Sequence, residues 1–140
     1  MENNQNTILL FDDDQFQIEL ASKACEQCAP ALGLIIVKNG ADAMKWFSQK
    51  TTGNTQFPKL VLMNFRLVQV LGFALVRWLR VDESTLAAPI IMYSTKYEPT
   101  EVLLSYQAGA TRFVNRPNNI YQFSSLLHDL SEYWCNVKTL

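Results

Sequence analysis

Short apolar runs alternate with amphipathic stretches along almost the whole chain, and this alternation limits the fold more than any other feature of the sequence. Thr7–Phe11 and residues 34–37, 60–63 and 90–93 are largely apolar throughout, which is typical of strands covered on both faces. A shorter fifth strand is predicted at 111–114. Strands that alternate with helices form a parallel sheet wrapped on both sides. The sequence therefore predicts an α/β fold of five strands and five helices.

Helix signals fill the segments between these strands. Asp14 is placed to cap the first helix, and Pro117 with the two asparagines after it is typical of the start of the last one. The predicted helices cover about 15–27, 41–48 and 71–79, a segment after Pro99 and a segment from Pro117 onwards. The apolar stripe of the last helix consists of Ile120, Phe123, Leu127, Leu130 and Trp134.

Length and charge exclude several classes of function. A chain of 140 residues fits one domain, with a core expected over about residues 7–135. Twelve Lys and Arg against 13 Asp and Glu give a net charge of −1, too balanced for a protein that mainly neutralises nucleic-acid phosphates. No apolar run approaches the roughly 18 residues that span a membrane, and the first residues lack the pattern of a secretion signal. We therefore expect a cytoplasmic protein that binds neither nucleic acid nor membrane.

Polar residues stand where the predicted strands end. Asp12 and Asp13 follow the first strand, Asn64 the third, Ser94 the fourth and Arg116 the fifth. In open parallel sheets, functional sites lie at the carboxyl ends of the strands. Each residue alone has an ordinary structural explanation, such as capping a helix, but together they predict one pocket.

The combination resembles the receiver domain of two-component response regulators, from Thr7 to the last helix. Asp12 and Asp13 match the family's acidic metal-binding pair, and Asn64 falls on its phosphoacceptor aspartate. Ser94 matches the Ser/Thr switch, and Arg116 falls on the lysine that contacts the phosphoryl oxygens. The resemblance assigns the catalytic positions to Asn64, Ser94 and Arg116, and the metal positions to Asp12 and Asp13.

The same resemblance implies the architecture and the signalling surface. It implies a flavodoxin-like, doubly wound (βα)5 fold with strand order 2-1-3-4-5, and a cis peptide bond between Arg116 and Pro117. Phe113 falls on the family's aromatic switch position. Tyr97, Tyr106 and Tyr121 are further candidates for the face that contacts partners.

Two departures from the family pattern concern its most diagnostic positions. The amide of Asn64 carries no negative charge and cannot form an ordinary acyl phosphate. Arg116 keeps a positive charge, but it is a wide planar fork where the family has a compact ammonium. With one of three acids missing, Mg²⁺ is expected to bind weakly or not at all at millimolar concentration. On charge alone, Asn64→Asp would restore that affinity.

These observations predict a single-domain receiver of phosphorelay signalling with a degenerate phosphorylation site. We expect no enzymatic activity and no attached output domain, so its output would be a protein partner, either a histidine kinase or a downstream signalling protein. One alternative is a receiver that accepts phosphate elsewhere, on Asp13. A second alternative is a flavodoxin-like cofactor binder, which the acidic loop after the first strand disfavours because it repels phosphate.

Cys25 and Cys28 form a CxxC motif at the end of the first predicted helix. Redox motifs of this kind open a helix after a strand, and a zinc site would need a second pair of ligands. We therefore interpret both cysteines, with Ile18 and Ala21, as a stripe that faces the core.

Overall fold

A computed structural model describes residues 7–28, 30, 33–50, 58–71, 73–83 and 85–130. The strands are β1 (Thr7–Phe11), β2 (Gly33–Val37), β3 (Pro58–Asn64), β4 (Ile90–Ser94) and β5 (Arg112–Asn115). The helices are α1 (Gln15–Cys28), α2 (Gly40–Lys50), α3 (Phe65–Val70), α4 (Ala74–Val81), α5 (Pro99–Ala108) and α6 (Ile120–Asp129).

All five strands are parallel and lie in the order β2-β1-β3-β4-β5, which confirms the predicted doubly wound, flavodoxin-like fold. Alternate side chains of each central strand enter opposite cores. In β1, Leu9 and Phe11 pack with α2, α3 and α4, whereas Ile8 and Leu10 pack with α1 and α6. Both cores are continuous across the sheet, which explains why the central strands read as unbroken apolar runs.

The segment after β3 differs from the predicted single helix. It contains two helices, because Asn64 caps α3 and Phe73 then adopts a left-handed conformation, with φ of 64°, just before α4. The residues directly after Asn64 are therefore helical as well. Gly72, between the two helices, lies outside the described residues, as do Trp134 and Cys135.

The expected cis bond between Arg116 and Pro117 is wrong. No peptide bond in the described parts of the chain is cis. The general trans preference of X-Pro bonds, about 0.5–1 kcal/mol, prevails here. Arg116 is nevertheless anchored at this point, because its backbone N–H donates to the carbonyl oxygen of Ser94.

None of the helices in the described ranges is both long and apolar enough to cross a membrane.

Arg80 connects α4 to the segments that precede β4 and β5. Its guanidinium donates to the carbonyl oxygens of Gly109 and Ala88 at 2.8 and 2.7 Å, and to that of Leu86 at 3.0 Å. It also reaches the Thr111 hydroxyl at 3.3 Å. Partial burial lowers the pKa of Arg80. Gly109, with φ of +127°, ends α5 in a conformation that strains other residues, and a Cβ there would meet the Arg80 side chain at 3.0 Å.

We predict that Arg80→Lys lowers the free energy of unfolding by about 2 kcal/mol, because a compact ammonium cannot span the carbonyl oxygens that the three nitrogens of the planar guanidinium reach. Urea denaturation measures the change. Arg66→Lys is the matched control, since the Arg66 side chain is exposed, and its effect should stay within about 0.5 kcal/mol. Equal midpoints for the two variants would contradict the role assigned to Arg80.

Candidate functional site

The register of the sheet brings the predicted polar residues to one edge. Phe11 pairs with Met63, and Asn64 pairs with Tyr93. Asp12, which directly follows β1, therefore lies beside the last residues of β3 and β4. The site is built at the carboxyl ends of the three central strands, as the sequence predicts.

Asp12 is the centre of this site and has no exposed surface. Its Oδ1 accepts hydrogen bonds from the side-chain amide of Asn64 at 3.1 Å and from the backbone N–H of Asp14 at 3.0 Å. Its Oδ2 accepts a hydrogen bond from the hydroxyl of Tyr93. Three neutral donors thus replace water around a buried carboxylate, which would otherwise be strongly disfavoured.

Asn64 uses both ends of its amide. The nitrogen donates to Asp12, while the oxygen accepts the backbone N–H of Arg66 at 3.0 Å and caps α3. The side chain therefore presents a donor, and not an oxygen, towards the acidic group. A carboxylate at position 64 could retain the cap but could not donate to Asp12.

Arg116 reaches across the site to the start of α1. It forms an ion pair with Asp14, and its Nε donates to the Gln17 side-chain oxygen at 3.0 Å. The hydrogen bond from Arg116 lowers the pKa of Asp14. Asp14 also caps α1 as predicted, because its second oxygen accepts the backbone N–H of Phe16 at 3.0 Å. Arg116, which stands at the position of the family's lysine, is therefore paired with Asp14 and not with the predicted metal-binding acids.

Asp13 and Ser94, the remaining predicted site residues, do not join the Asp12 network. Asp13 is exposed and makes no hydrogen bond or ion pair with any described residue. Ser94 is 5% exposed, and its hydroxyl donates to the carbonyl oxygen of Lys96 at 3.0 Å. The hydroxyl proton is thus committed to the loop after β4.

The side chains present do not fit the magnesium site of the receiver pattern. Mg²⁺ requires oxygen ligands in near-ideal octahedral geometry. Both oxygens of Asp12 are engaged by protein donors, and Asn64 directs its NH₂ group to where a third carboxylate would stand. Asp13 is the one predicted ligand whose oxygens are uncommitted among the described residues.

Three of the four aromatic residues predicted for the partner face, Phe113, Tyr97 and Tyr106, form one cluster between α5 and β5. The ring centroids of Tyr97 and Phe113 lie 4.8 Å apart, and those of Phe65 and Phe113 lie 5.8 Å apart. The Tyr97 hydroxyl donates to Asn115 at 2.7 Å, and the Tyr106 hydroxyl accepts the backbone N–H of Phe113 at 3.1 Å. Tyr97 and Tyr106 remain 39% and 45% exposed, so the cluster is also a surface.

Two residues of the site were not predicted from the sequence. Tyr93 lies inside an apolar strand, and nothing in its spacing signals that its hydroxyl meets Asp12. Burial, helped by the Asp12 charge, raises the pKa of Tyr93 well above its ordinary value. Gln17 is fully buried, and its Nε2 has no hydrogen-bond partner within the described structure. A glutamine at a core position of the first helix was the one available signal.

The two cysteines of α1 differ, which partly overturns the predicted stripe. Cys25 is 5% exposed and faces the core, but Cys28 is exposed. The difference arises because a three-residue step rotates a helix by about 300°, short of a full turn. Burial raises the pKa of Cys25 to about 11, with a smaller contribution from Cys28.

We predict that iodoacetamide at pH 8 alkylates Cys28 at least tenfold faster than Cys25, because only the thiolate reacts and Cys25 stays protonated. Peptide mapping by mass spectrometry in a Cys135→Ser background measures both rates. Equal alkylation rates in the folded protein, and not just in denaturant, would contradict this prediction.

The burial of Cys25 also predicts a dependence of stability on pH. Since the folded pKa of Cys25 exceeds its ordinary value of 9.0, the free energy of unfolding should fall progressively as pH rises from 9 towards 11.

Comparison with known proteins agrees with the observed fold. The two-component response regulator ORR1 of Oryza sativa subsp. japonica is 27% identical over 115 residues, which cover 79% of this chain and 48% of that protein. This chain therefore spans about half the length of that rice relative. The crystal structure of response regulator RPA3017, in red light signaling of R. palustris, has a TM-score of 0.76 and 21% identity, covering 93% of this chain and 94% of that one.

The Mn(2+)-bound form of response regulator Rcp1 has a TM-score of 0.72 and 19% identity, covering 92% of this chain and 94% of that one. Structural similarity at such low identity supports the fold alone. The family model for the response regulator receiver domain matches residues 8–128. This match covers most of the chain, so the protein belongs to the response regulator receiver domain family.

Proposed function

We propose that this receiver domain acts in two-component signalling without being phosphorylated, as a protein-binding module with a silent acceptor site. The observation that carries the proposal is the hydrogen bond from the Asn64 amide nitrogen to Asp12 at 3.1 Å. At the position where receivers carry the nucleophilic carboxylate, this protein holds a neutral donor. An amide offers no oxygen anion to attack a phosphoryl group.

The position of Arg116 supports the same proposal. In a receiver of ordinary sequence, the cation at this position contacts the transferred phosphoryl oxygens. Here Arg116 donates to the Asp14 carboxylate and to the Gln17 side chain at the start of α1. A phosphoryl group would have to compete with an existing ion pair for this cation.

The proposed output is a protein partner, a histidine kinase or a downstream signalling protein, that binds at the face formed by α5, β5 and α6. An open groove of about 790 Å³ runs between β5 and α6, lined among others by Arg112, Arg116, Tyr121, Gln122, Asp129 and Val114. Tyr121 at its rim is 82% exposed. Exposed aromatic residues beside charged ones are typical of protein interfaces.

Asp13 keeps one alternative open, a receiver that accepts phosphate at a different carboxylate. Asp13 is exposed, and its carboxylate makes no contact with any described residue that would prevent attack on a phosphodonor. Phosphorylation at Asp13 would add a labile mass that maps to the acidic run and not to Asn64. The same experiment therefore tests both candidates.

We predict that acetyl phosphate with MgCl₂ leaves the protein unmodified, because Asn64 has no nucleophilic oxygen anion. Intact-mass spectrometry measures the phosphoryl adduct, with a receiver that carries an acceptor aspartate treated in parallel as the positive control. A stoichiometric adduct on the native chain would overturn the proposal. If that adduct disappears in the Asp13→Asn variant, the Asp13 alternative takes its place.

We also predict that titration with MgCl₂ up to several millimolar gives no saturable heat in calorimetry. The donors around Asp12 occupy both of its oxygens, and position 64 supplies no third carboxylate. Titration into the Asp13→Asn variant separates weak surface binding at the exposed acid from binding at the pocket. Saturable binding with a dissociation constant below a millimolar level would contradict this part of the proposal.

A further inference from the structure

The hydroxyl of Tyr93 donates a hydrogen bond to an oxygen of Asp12 that a metal ion would need as a ligand. Tyr93 is 1% exposed, and its hydroxyl donates to Oδ2 of Asp12, the oxygen that neither Asn64 nor Asp14 contacts. The three donors together engage both oxygens of a carboxylate that has no access to water. Since Asp12 has no exposed surface, a cation at Oδ2 would have to displace the Tyr93 hydroxyl.

Tyr93 cannot easily move away from Asp12. Its ring is part of the core that α1 and α6 form on the sheet. Its backbone is fixed in β4, where it pairs with Asn64 on one side and Val114 on the other. Turning the ring aside would leave a buried hydroxyl without a partner and open a void in a close-packed core. The hydrogen bond to Asp12 is therefore a fixed feature of the fold.

We propose that Tyr93 closes the Asp12 site to divalent cations, so that metal binding is prevented by two separate features: the absent carboxylate at position 64 and the hydroxyl at position 93. This inference rests on the proposed silent site and deepens it. In effect, a phenol O–H and an amide N–H stabilise the buried carboxylate by hydrogen bonds, in place of the cation that a receiver with three acids binds. Restoring the acid alone does not restore the metal site.

The consequence for Asn64→Asp is opposite to the expectation from charge alone. The substitution removes the Asn64 donor and places a second carboxylate beside Asp12, which favours a cation. The Tyr93 hydroxyl still holds Oδ2 of Asp12, however. Tyr93→Phe removes that hydroxyl while it keeps the ring in the core. Only the double variant therefore removes the side-chain donors from both oxygens of Asp12 and supplies the third acid.

Calorimetric titration with MgCl₂ and with MnCl₂ tests the proposal on four proteins: native, Asn64→Asp, Tyr93→Phe and Asn64→Asp/Tyr93→Phe. We expect the double variant to bind either cation at least tenfold more tightly than Asn64→Asp. Neither single variant should differ measurably from the native protein. The matched control is Asn64→Asp/Tyr97→Phe, which loses a tyrosine hydroxyl that donates to Asn115 and should bind no better than Asn64→Asp.

Thermal unfolding gives a second readout that also checks folding. MgCl₂ should raise the midpoint of the double variant and leave that of Asn64→Asp unchanged, because a cation that binds the folded state stabilises it. If Tyr93→Phe disrupts folding, Tyr93→Met replaces it as a flexible apolar side chain of the same core position.

One result would overturn the role of Tyr93: Asn64→Asp and the folded double variant that bind Mg²⁺ equally, whether both bind it tightly or neither binds it. This result does not bear on whether the native chain accepts a phosphoryl group, since it concerns variants without a phosphodonor. A phosphoryl adduct on the native protein, in contrast, would overturn the proposed function whatever the metal titrations give.

Discussion

The carboxylate of Asp12 is excluded from water at the carboxyl ends of four strands, and it determines how the other residues of the site are arranged. The backbone N–H of Asp12 donates to Val37 at the end of β2 at 3.1 Å, while its side chain accepts from Asn64 of β3 and Tyr93 of β4. A buried charge of this kind is tolerated only when hydrogen bonds or a counter-ion satisfy it. In this protein neutral donors satisfy it, and Arg116 is left to pair with Asp14 instead.

The fold and the meeting of the site residues were predictable because both follow from local patterns. Apolar runs covered on both faces predict a parallel sheet, and polar residues at strand ends predict a pocket at one edge. The proximity of Asp12 and Asn64 follows from that edge, although the hydrogen bond between them does not. The resemblance to receiver domains then supplied the strand order, which the parallel pairing confirms.

The contacts that were not predictable depend on the direction of single side chains. In the sequence, Tyr93 is an ordinary strand residue. Its role depends on the direction of its hydroxyl, which donates to Asp12. The pairing of Arg116 with Asp14 joins residues far apart in sequence, and the break after α3 depends on the left-handed conformation of Phe73. Sequence spacing specifies which face a residue lies on, but not which donor reaches which acceptor.

The most direct test of the closed Asp12 site is the two-dimensional ¹H–¹⁵N spectrum of the native protein, recorded before and after addition of MgCl₂ and acetyl phosphate. The side-chain NH₂ of Asn64 and the backbone N–H of Asp14 both donate to Asp12, so they report on its oxygens directly. The account predicts that these signals, and those of Ser94 and Phe113, keep their positions. Saturable shifts of the Asn64 and Asp14 signals, continuing into Ser94 and Phe113, would contradict it.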